Sequence, residues 1–228
     1  MWPFKKKNKD KVEVPTEKPI SPQNNAQSEE EGQDWIPVGE GNPFDAPVLD
    51  IRSVALNMVS TTKDQSVAEN YSSSRSCDGK KYINQQPENS QSFLTNFSYP
   101  HNGEALEGIV FKSPVMEVKW DIYAYGEWFY FVRSWTSELV YKVRYENAGN
   151  ELIFKEVLAS NSSSELDAQN IHSIMLTHVL GRVWPYHVPE DMRELPFKTL
   201  ALQMFSQFGS KATILTTGNV FEIGLAKK

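Results

Sequence analysis

The chain has 228 residues, of which 39% are hydrophobic and 23% are charged, and its formal net charge at pH 7 is −6. This length allows one sizeable hydrophobic core, with or without an unfolded arm. The acidic balance argues against general affinity for nucleic acids or anionic membranes over the body of the protein.

The first 34 residues differ from the rest in composition, because Lys, Glu, Pro, Asn and Gln dominate them. Such a segment cannot bury enough apolar surface to fold alone, so the sequence predicts a disordered basic and polar arm over 1–34 and a single α+β domain over 35–228. At its start the arm carries aromatic residues beside a lysine cluster: Trp2, Phe4, Lys5, Lys6 and Lys7. This pairing is suited to weak peripheral contact with an anionic membrane. The alternative is a solvated tail, which the acidic residues Asp10 and Glu13 favour.

The stretch 61–108 is polar and rich in Ser, Asn, Gln and Gly, which predicts long loops after a short strand at Val48–Ile51. One or two helical turns over Val67–Tyr71 are the alternative left open within it. Long loops in compact domains are often functional or mobile. A binding surface is therefore expected in this part of the chain.

The densest run of aromatic and β-branched residues, 116–158, predicts a meander of four antiparallel strands. Its first strand alternates apolar and mainly polar residues, as a strand with one face on a core does. The apolar positions are Met116, Val118, Trp120, Ile122 and Ala124. Gly126 and Glu127 predict a tight turn, because glycine tolerates the positive φ that hairpin turns need.

Two helices and a hairpin are predicted after the meander. The first helix has a buried stripe with i, i+3, i+4, i+7, i+8 spacing, formed by Ile171, Ile174, Met175, His178 and Val179. Leu200, Met204 and Phe208 mark the second helix, and the runs 212–216 and 220–225 around Gly218-Asn219 predict a closing hairpin. The predicted fold is α+β: an antiparallel sheet with two C-terminal helices and a closing hairpin.

Known catalytic and cofactor motifs are missing from the sequence. It contains no CxxC pair, no phosphate-binding glycine pattern and no GxSxG elbow. His172 and His178 are six residues apart and so lie on different faces of a helix, and His178, on the apolar stripe, is expected to be a hydrogen-bonded core histidine. Neither a metal site nor a cofactor is predicted.

The most unusual local feature is the segment 131–137. Strand alternation places Phe131, Arg133 and Trp135 on one face, so that a guanidinium lies between two aromatic rings. Arginine can stack on such rings and still bind a carboxylate or phosphate, which predicts an anion or acidic-partner site with Thr136 nearby. The alternative is a structural arginine paired with an internal Asp or Glu.

This segment lies in FYFVRSWTSELVY, which follows PVMEVKWDIY and precedes GRVWPYHVPEDM and ALQMFSQFG. The second half of the chain thereby resembles a family of uncharacterised bacterial proteins with an RSWTG-type strand and a C-terminal helical region. Ser137 stands where that pattern has Gly. The resemblance implies a bacterial, cytosolic setting, and it implies no activity, cofactor or catalytic residue.

The sequence favours a non-enzymatic binding or accessory protein, of an inhibitor or immunity type, that recognises another protein and not nucleic acid. The acidic balance, the missing motifs and the aromatic-rich sheet support this, because Tyr, Trp and Arg dominate interface energetics. The candidate binding residues are Arg133, Trp135, Thr136 and His187. The single cysteine, Cys77, and the absence of any run of roughly 20 apolar residues predict a cytoplasmic location.

Two other functions stay open. The first is a small hydrolase or transferase for an anionic substrate, with Arg133 as the anion clamp and His187 as the base. It requires both side chains to converge in one pocket. The second is a membrane-peripheral factor held by Trp2, Phe4 and the lysines.

Overall fold

A computed structural model describes residues 34–39, 41–160 and 164–220 of the chain, and all of them belong to one compact unit. The predicted arm lies outside the described residues, except for Asp34. The same holds for the predicted membrane-contact residues Trp2, Phe4, Lys5, Lys6 and Lys7.

The described residues form two sheets. Their strands are β1 (Val48–Asp50), β2 (Ser90–Leu94), β3 (Ser98–Pro100), β4 (Gly108–Phe111), β5 (Trp120–Tyr125), β6 (Trp128–Arg133), β7 (Leu139–Asn147), β8 (Glu151–Ser160), β9 (Tyr186–His187) and β10 (Ile214–Thr216). The larger sheet has seven antiparallel strands in the order β2-β8-β7-β6-β5-β4, and β3 also pairs with β8. The smaller sheet has the order β1-β10-β9.

Helices connect and cover these strands. They are α1 (Arg52–Ala55), α2 (Gln65–Ser74), α3 (Ser164–Ile174) and α4 (Phe197–Phe208). Helix α3 continues as a π-helical turn over Met175–Val179. The α+β class and both predicted C-terminal helices are confirmed.

The predicted meander is confirmed as strands β5 to β8. The turn between β5 and β6 consists of Gly126 and Glu127, and Gly126 has the expected positive φ of +58°. The first strand begins at Trp120, four residues later than predicted. Residues before it form a turn closed by a hydrogen bond from the Val118 N–H to the Val115 carbonyl at 3.1 Å, so the strand pattern does not extend to Met116.

Both faces of the central strands are buried. Trp120, Ile122 and Ala124 lie in the main core with the apolar faces of α3 and α4. The opposite face carries a second cluster, formed by Tyr82, Tyr123, Tyr130, Val132 and Leu139. Alternation along the strand predicted only one buried face. The second face is covered by the segment that supplies Tyr82, which lies some forty positions earlier in the chain.

A buried ion pair attaches the end of α2 to the sheet. Lys112 Nζ donates hydrogen bonds to Asp121 Oδ2 at 2.7 Å, to the Tyr123 hydroxyl at 2.6 Å and to the Ser74 carbonyl at 2.6 Å. Asp121 is 1% exposed, so its negative charge must be stabilised by protein groups. These groups are the lysine and the Ser113 N–H, which donates to Oδ1 at 2.8 Å. The pair thereby joins strand β5 to the end of α2.

The C-terminal helices bury the predicted stripes. Ile171, Ile174 and Met175 are buried, and so are Leu200, Met204 and Phe208. His178 is buried as predicted and shares a hydrogen bond of 2.9 Å between its Nδ1 and Thr177 Oγ1.

The predicted closing hairpin is only partly within the described residues. Its first strand is β10, which pairs antiparallel with β1 and parallel with β9. Most of its second strand, 220–225, lies outside the described residues. The stretch 61–108 contains α2, which covers the helical turns left open at Val67–Tyr71, and the strands β2 and β3, which were not predicted. Asp64 explains the start of α2: its side chain accepts a hydrogen bond from the Ser66 N–H at 2.9 Å, an N-cap.

Every helix in the described part of the chain is too short or too polar to span a lipid bilayer.

Candidate functional site

Arg133 ends strand β6 and caps the C-terminal end of α4. Its guanidinium carbon lies 5.0 Å from the ring centroid of Trp120, its cross-strand neighbour on β5. Nη2 donates a hydrogen bond to the Ser206 carbonyl at 2.9 Å, and Nη1 donates one to the Gln207 carbonyl. The last carbonyls of a helix lack intrahelical partners and carry partial negative charge, so a cation here stabilises the helix.

The surroundings of Arg133 differ from those that the sequence predicted. Strand β6 ends at Arg133, so the predicted alternation does not reach Trp135, and the ring under the guanidinium is Trp120. In the described part of the chain no carboxylate lies within ion-pair distance of Arg133. The structural partner is therefore a helix end and not the internal acid that was expected.

Lys119 is a buried cation that the sequence did not single out. It is 6% exposed, and its Nζ donates hydrogen bonds to Ser60 Oγ at 2.7 Å and to the Met116 carbonyl at 2.9 Å. Among the described residues it has no carboxylate within ion-pair distance. Burial, and then the charge of Arg133, lower the pKa of Lys119 to about 8, and the carboxylate of Glu117 opposes them.

Trp135 lies in the turn after β6 and forms an aromatic wall beside this lysine. Its Nε1 donates a hydrogen bond to the Met116 carbonyl at 2.7 Å, which sets the orientation of the indole. Lys119 Nζ is 4.0 Å from the Trp135 ring centroid and 5.1 Å from that of Phe205. At these distances the rings attract the ammonium group.

These side chains line a cavity of about 480 Å³, called here the basic groove. Its two cations are Lys119 and Arg133. The remaining lining comes from the loop before α2, from α2 itself, from the turn after β6 and from α4: Met58, Val59, Ser60, Thr61, Thr62, Val67, Trp135, Thr136, Leu202, Phe205 and Ser206. Three of the four predicted binding residues, Arg133, Trp135 and Thr136, therefore lie together.

Two backbone contacts, one of Glu117 and one of Val118, hold the walls of the basic groove together. The Ser210 N–H donates to the Glu117 carbonyl at 2.8 Å, and Val118 bridges to Gly209. Gly209 has φ +72° and ψ −158°, a conformation open essentially to glycine alone, and a Cβ there would collide with the Glu117 carbonyl. Across the groove, Ser60 N–H donates to Glu117 Oε1 at 2.9 Å.

His187 does not join the other predicted residues. It lies on β9, opposite Thr216 of β10, and lines a different cavity of about 700 Å³. That cavity, called here the aromatic pocket, is lined by Phe97, Glu165, Gln169, His172 and Trp184 together with ten further residues that include His187. Arg133 and His187 therefore line different cavities, whereas the enzyme hypothesis requires them in one.

The sequence missed Lys119 for a physical reason. Alternation placed it on the polar side of a strand, whereas it precedes β5 and is buried by contacts with Trp135 and Phe205. The local pattern around Lys119 contains no signal for that burial. In the described residues, no group of three or more His, Cys, Asp or Glu side chains is placed to hold a metal ion.

Comparisons of the chain with models of protein families, with curated proteins and with solved structures return no match. The resemblance to proteins with an RSWTG-type strand thus stays a prediction.

Proposed function

We propose that this chain is a non-enzymatic binding protein that recognises an acidic and partly apolar segment of another protein through the basic groove. Cys77 is the only cysteine of the chain and is free, which supports a cytoplasmic setting for this interaction. His187, in a separate cavity, has no part in the proposed interface.

The observation that carries the proposal is the buried ammonium group of Lys119. Buried charges in proteins are normally paired, because removing a charge from water is costly. Lys119 has three N–H donors, and its hydrogen bonds to Ser60 and Met116 use two of them. No carboxylate of the described residues lies within ion-pair distance of Lys119. A carboxylate from a partner supplies this opposite charge.

Apolar side chains at the rim define the second part of the recognition. Val59 is 72% exposed and Leu202 is 37% exposed, although both line the groove. Trp135 adds an oriented indole beside them. A partner segment with an apolar side chain next to its carboxylate buries these surfaces and forms an ion pair with Lys119. Tryptophan is among the residues that dominate the energetics of such interfaces.

The size and charge of the groove favour a segment over a folded surface. A volume of about 480 Å³ accommodates a few side chains and lies in the range of small-ligand pockets, which is about 300–1,000 Å³. The whole chain carries a net charge of −6, so an acidic partner meets favourable charge at this groove and general repulsion elsewhere. Such a contrast directs a partner to one site.

The test uses short random peptides displayed for selection on the full-length protein. Peptides that bind wild type are then measured for binding to Lys119→Met, which removes the charge and keeps most of the side-chain volume. We expect the recovered peptides to be enriched in Asp, Glu or a free C-terminal carboxylate next to apolar residues. Their affinity for Lys119→Met should be at least about tenfold weaker, equivalent to 1.4 kcal/mol.

Lys142→Met is the matched control. Lys142 is also buried, its Nζ lies 4.6 Å from the Trp128 ring centroid, and it donates to the Gln85 carbonyl at 3.1 Å, but it does not line the groove. We expect it to bind the selected peptides as wild type does. Selected peptides without carboxylates, or equal affinities for wild type and Lys119→Met, would overturn the proposal.

A further inference from the structure

The aromatic pocket has walls suited to an apolar ligand. The ring of Phe97 stacks on that of His172 with 4.6 Å between centroids, and Trp184 meets His172 edge-on at 5.3 Å. A hydrogen bond of 3.0 Å between the Tyr99 hydroxyl and His172 Nδ1 holds the imidazole in place. The volume of about 700 Å³ is that of a small-molecule site.

One carboxylate lines the aromatic pocket. Among the described lining residues, Glu165 is the only acid, it is exposed, and none is Lys or Arg. The charges of Arg182 and Arg193 outside the lining act on His172 and His187. Burial, together with the nearby charge of Arg182, lowers the pKa of His172 to about 4. Burial also lowers the pKa of His187. Both imidazoles are therefore uncharged at neutral pH.

Two polar atoms of the lining lack partners. Gln169 Oε1 and His187 Nδ1 are buried and have no hydrogen-bond partner among the described residues. The amide nitrogen of Gln169 donates to Asn219 Oδ1, which leaves its oxygen as the acceptor without a donor. Buried polar atoms without partners are uncommon in native proteins, so each needs an explanation.

We infer that the aromatic pocket binds a small organic ammonium ion, that is, a protonated amine with an apolar body. The aromatic walls cover the body and attract the cation. The carboxylate of Glu165 supplies the opposite charge, and Gln169 Oε1 accepts a hydrogen bond from the ammonium N–H. This site is independent of the basic groove and takes a ligand of opposite charge.

The inference is tested by calorimetric titration of the full-length protein with three probes that share one apolar body. They are 2-phenylethylammonium, the neutral 2-phenylethanol and the anionic phenylacetate. We expect saturable binding of the ammonium probe, with the alcohol at least about tenfold weaker and no binding of phenylacetate. The tryptophan fluorescence of the protein, to which Trp184 in the pocket wall contributes, should change with the same concentration dependence.

Two variants locate the binding site. Glu165→Gln removes the carboxylate charge and Gln169→Leu removes the acceptor. Each should lower the affinity for the ammonium probe by about tenfold or more. Glu190→Gln is the control, because Glu190 is an exposed acid outside the pocket, and it should bind as wild type does. A melting curve establishes that each variant is folded. The inference is refuted by the absence of saturable binding, by equal affinity for phenylacetate, or by unchanged affinity in both pocket variants.

Discussion

Replacement of Arg133 by alanine should destabilise the fold by removing the cap of α4. A hydrogen bond to a charged group contributes about 1.5–3 kcal/mol. Arg133 is half-buried and makes two of them, to the carbonyls of Ser206 and Gln207, so we take the lower value for each. Stacking over Trp120 adds about 0.5–1 kcal/mol. The expected loss is therefore about 3.5–4 kcal/mol, a large share of a typical stability of about 5–15 kcal/mol.

The assay is guanidinium chloride unfolding followed by tryptophan fluorescence and circular dichroism. Arg133→Ala should lower the midpoint with an unchanged slope, because the surface exposed on unfolding stays the same. Arg133→Lys keeps the charge near the helix end but loses the planar fork, and should cost about half as much. For a chain of this size, a loss of about 3 kcal/mol lowers the melting temperature by about 6–12 °C.

Arg144→Ala is the matched control. Arg144 lies on β7, and its Nε contacts Glu156 Oε2 at 3.3 Å with about a third of each side chain exposed. Partly exposed pairs of this kind contribute about 0–1 kcal/mol. If Arg133→Ala costs no more than Arg144→Ala, the guanidinium does not hold the end of α4, and its role as an anion clamp becomes the better explanation.

Three further changes test other parts of the structure. Gly209→Ala should cost at least about 3 kcal/mol in denaturant unfolding, because its Cβ collides with the Glu117 carbonyl, whereas Gly126→Ala, with φ +58° and open space around it, should cost about 1–2 kcal/mol. Similar costs would contradict the close packing at Gly209. Ser137→Gly should stabilise by about 0.5–1 kcal/mol, because Ser137 has φ +60°, and a loss of stability would count against this backbone conformation. Burial lowers the pKa of His178 to about 3, so the unfolded chain takes up its proton first as the pH falls below about 6.5. Between pH 7 and pH 5 the wild type should lose about 2 kcal/mol more stability than His178→Leu, and equal losses in the two unfolding series would refute this.

Local patterns in the sequence determined the meander and the C-terminal helices. The hairpin from β5 to β6 joins neighbouring strands through Gly126 and Glu127, so residue type and a period of two suffice to predict it. The stripe on α4 follows in the same way from a helical period.

Only the tertiary structure decided where the candidate sites lie. Lys119 and Arg133 become neighbours because β5 and β6 pair, and the end of α4, more than seventy residues away in sequence, then closes the basic groove over them. His187 lies away from the basic groove, because its strand β9 pairs with β10 in the smaller sheet β1-β10-β9. Contacts between distant segments depend on how the whole core packs, and residue periodicity carries no information about them. For this reason the meander and the C-terminal helices were predictable from the sequence, whereas the burial of Lys119 and the separation of the two cavities were not.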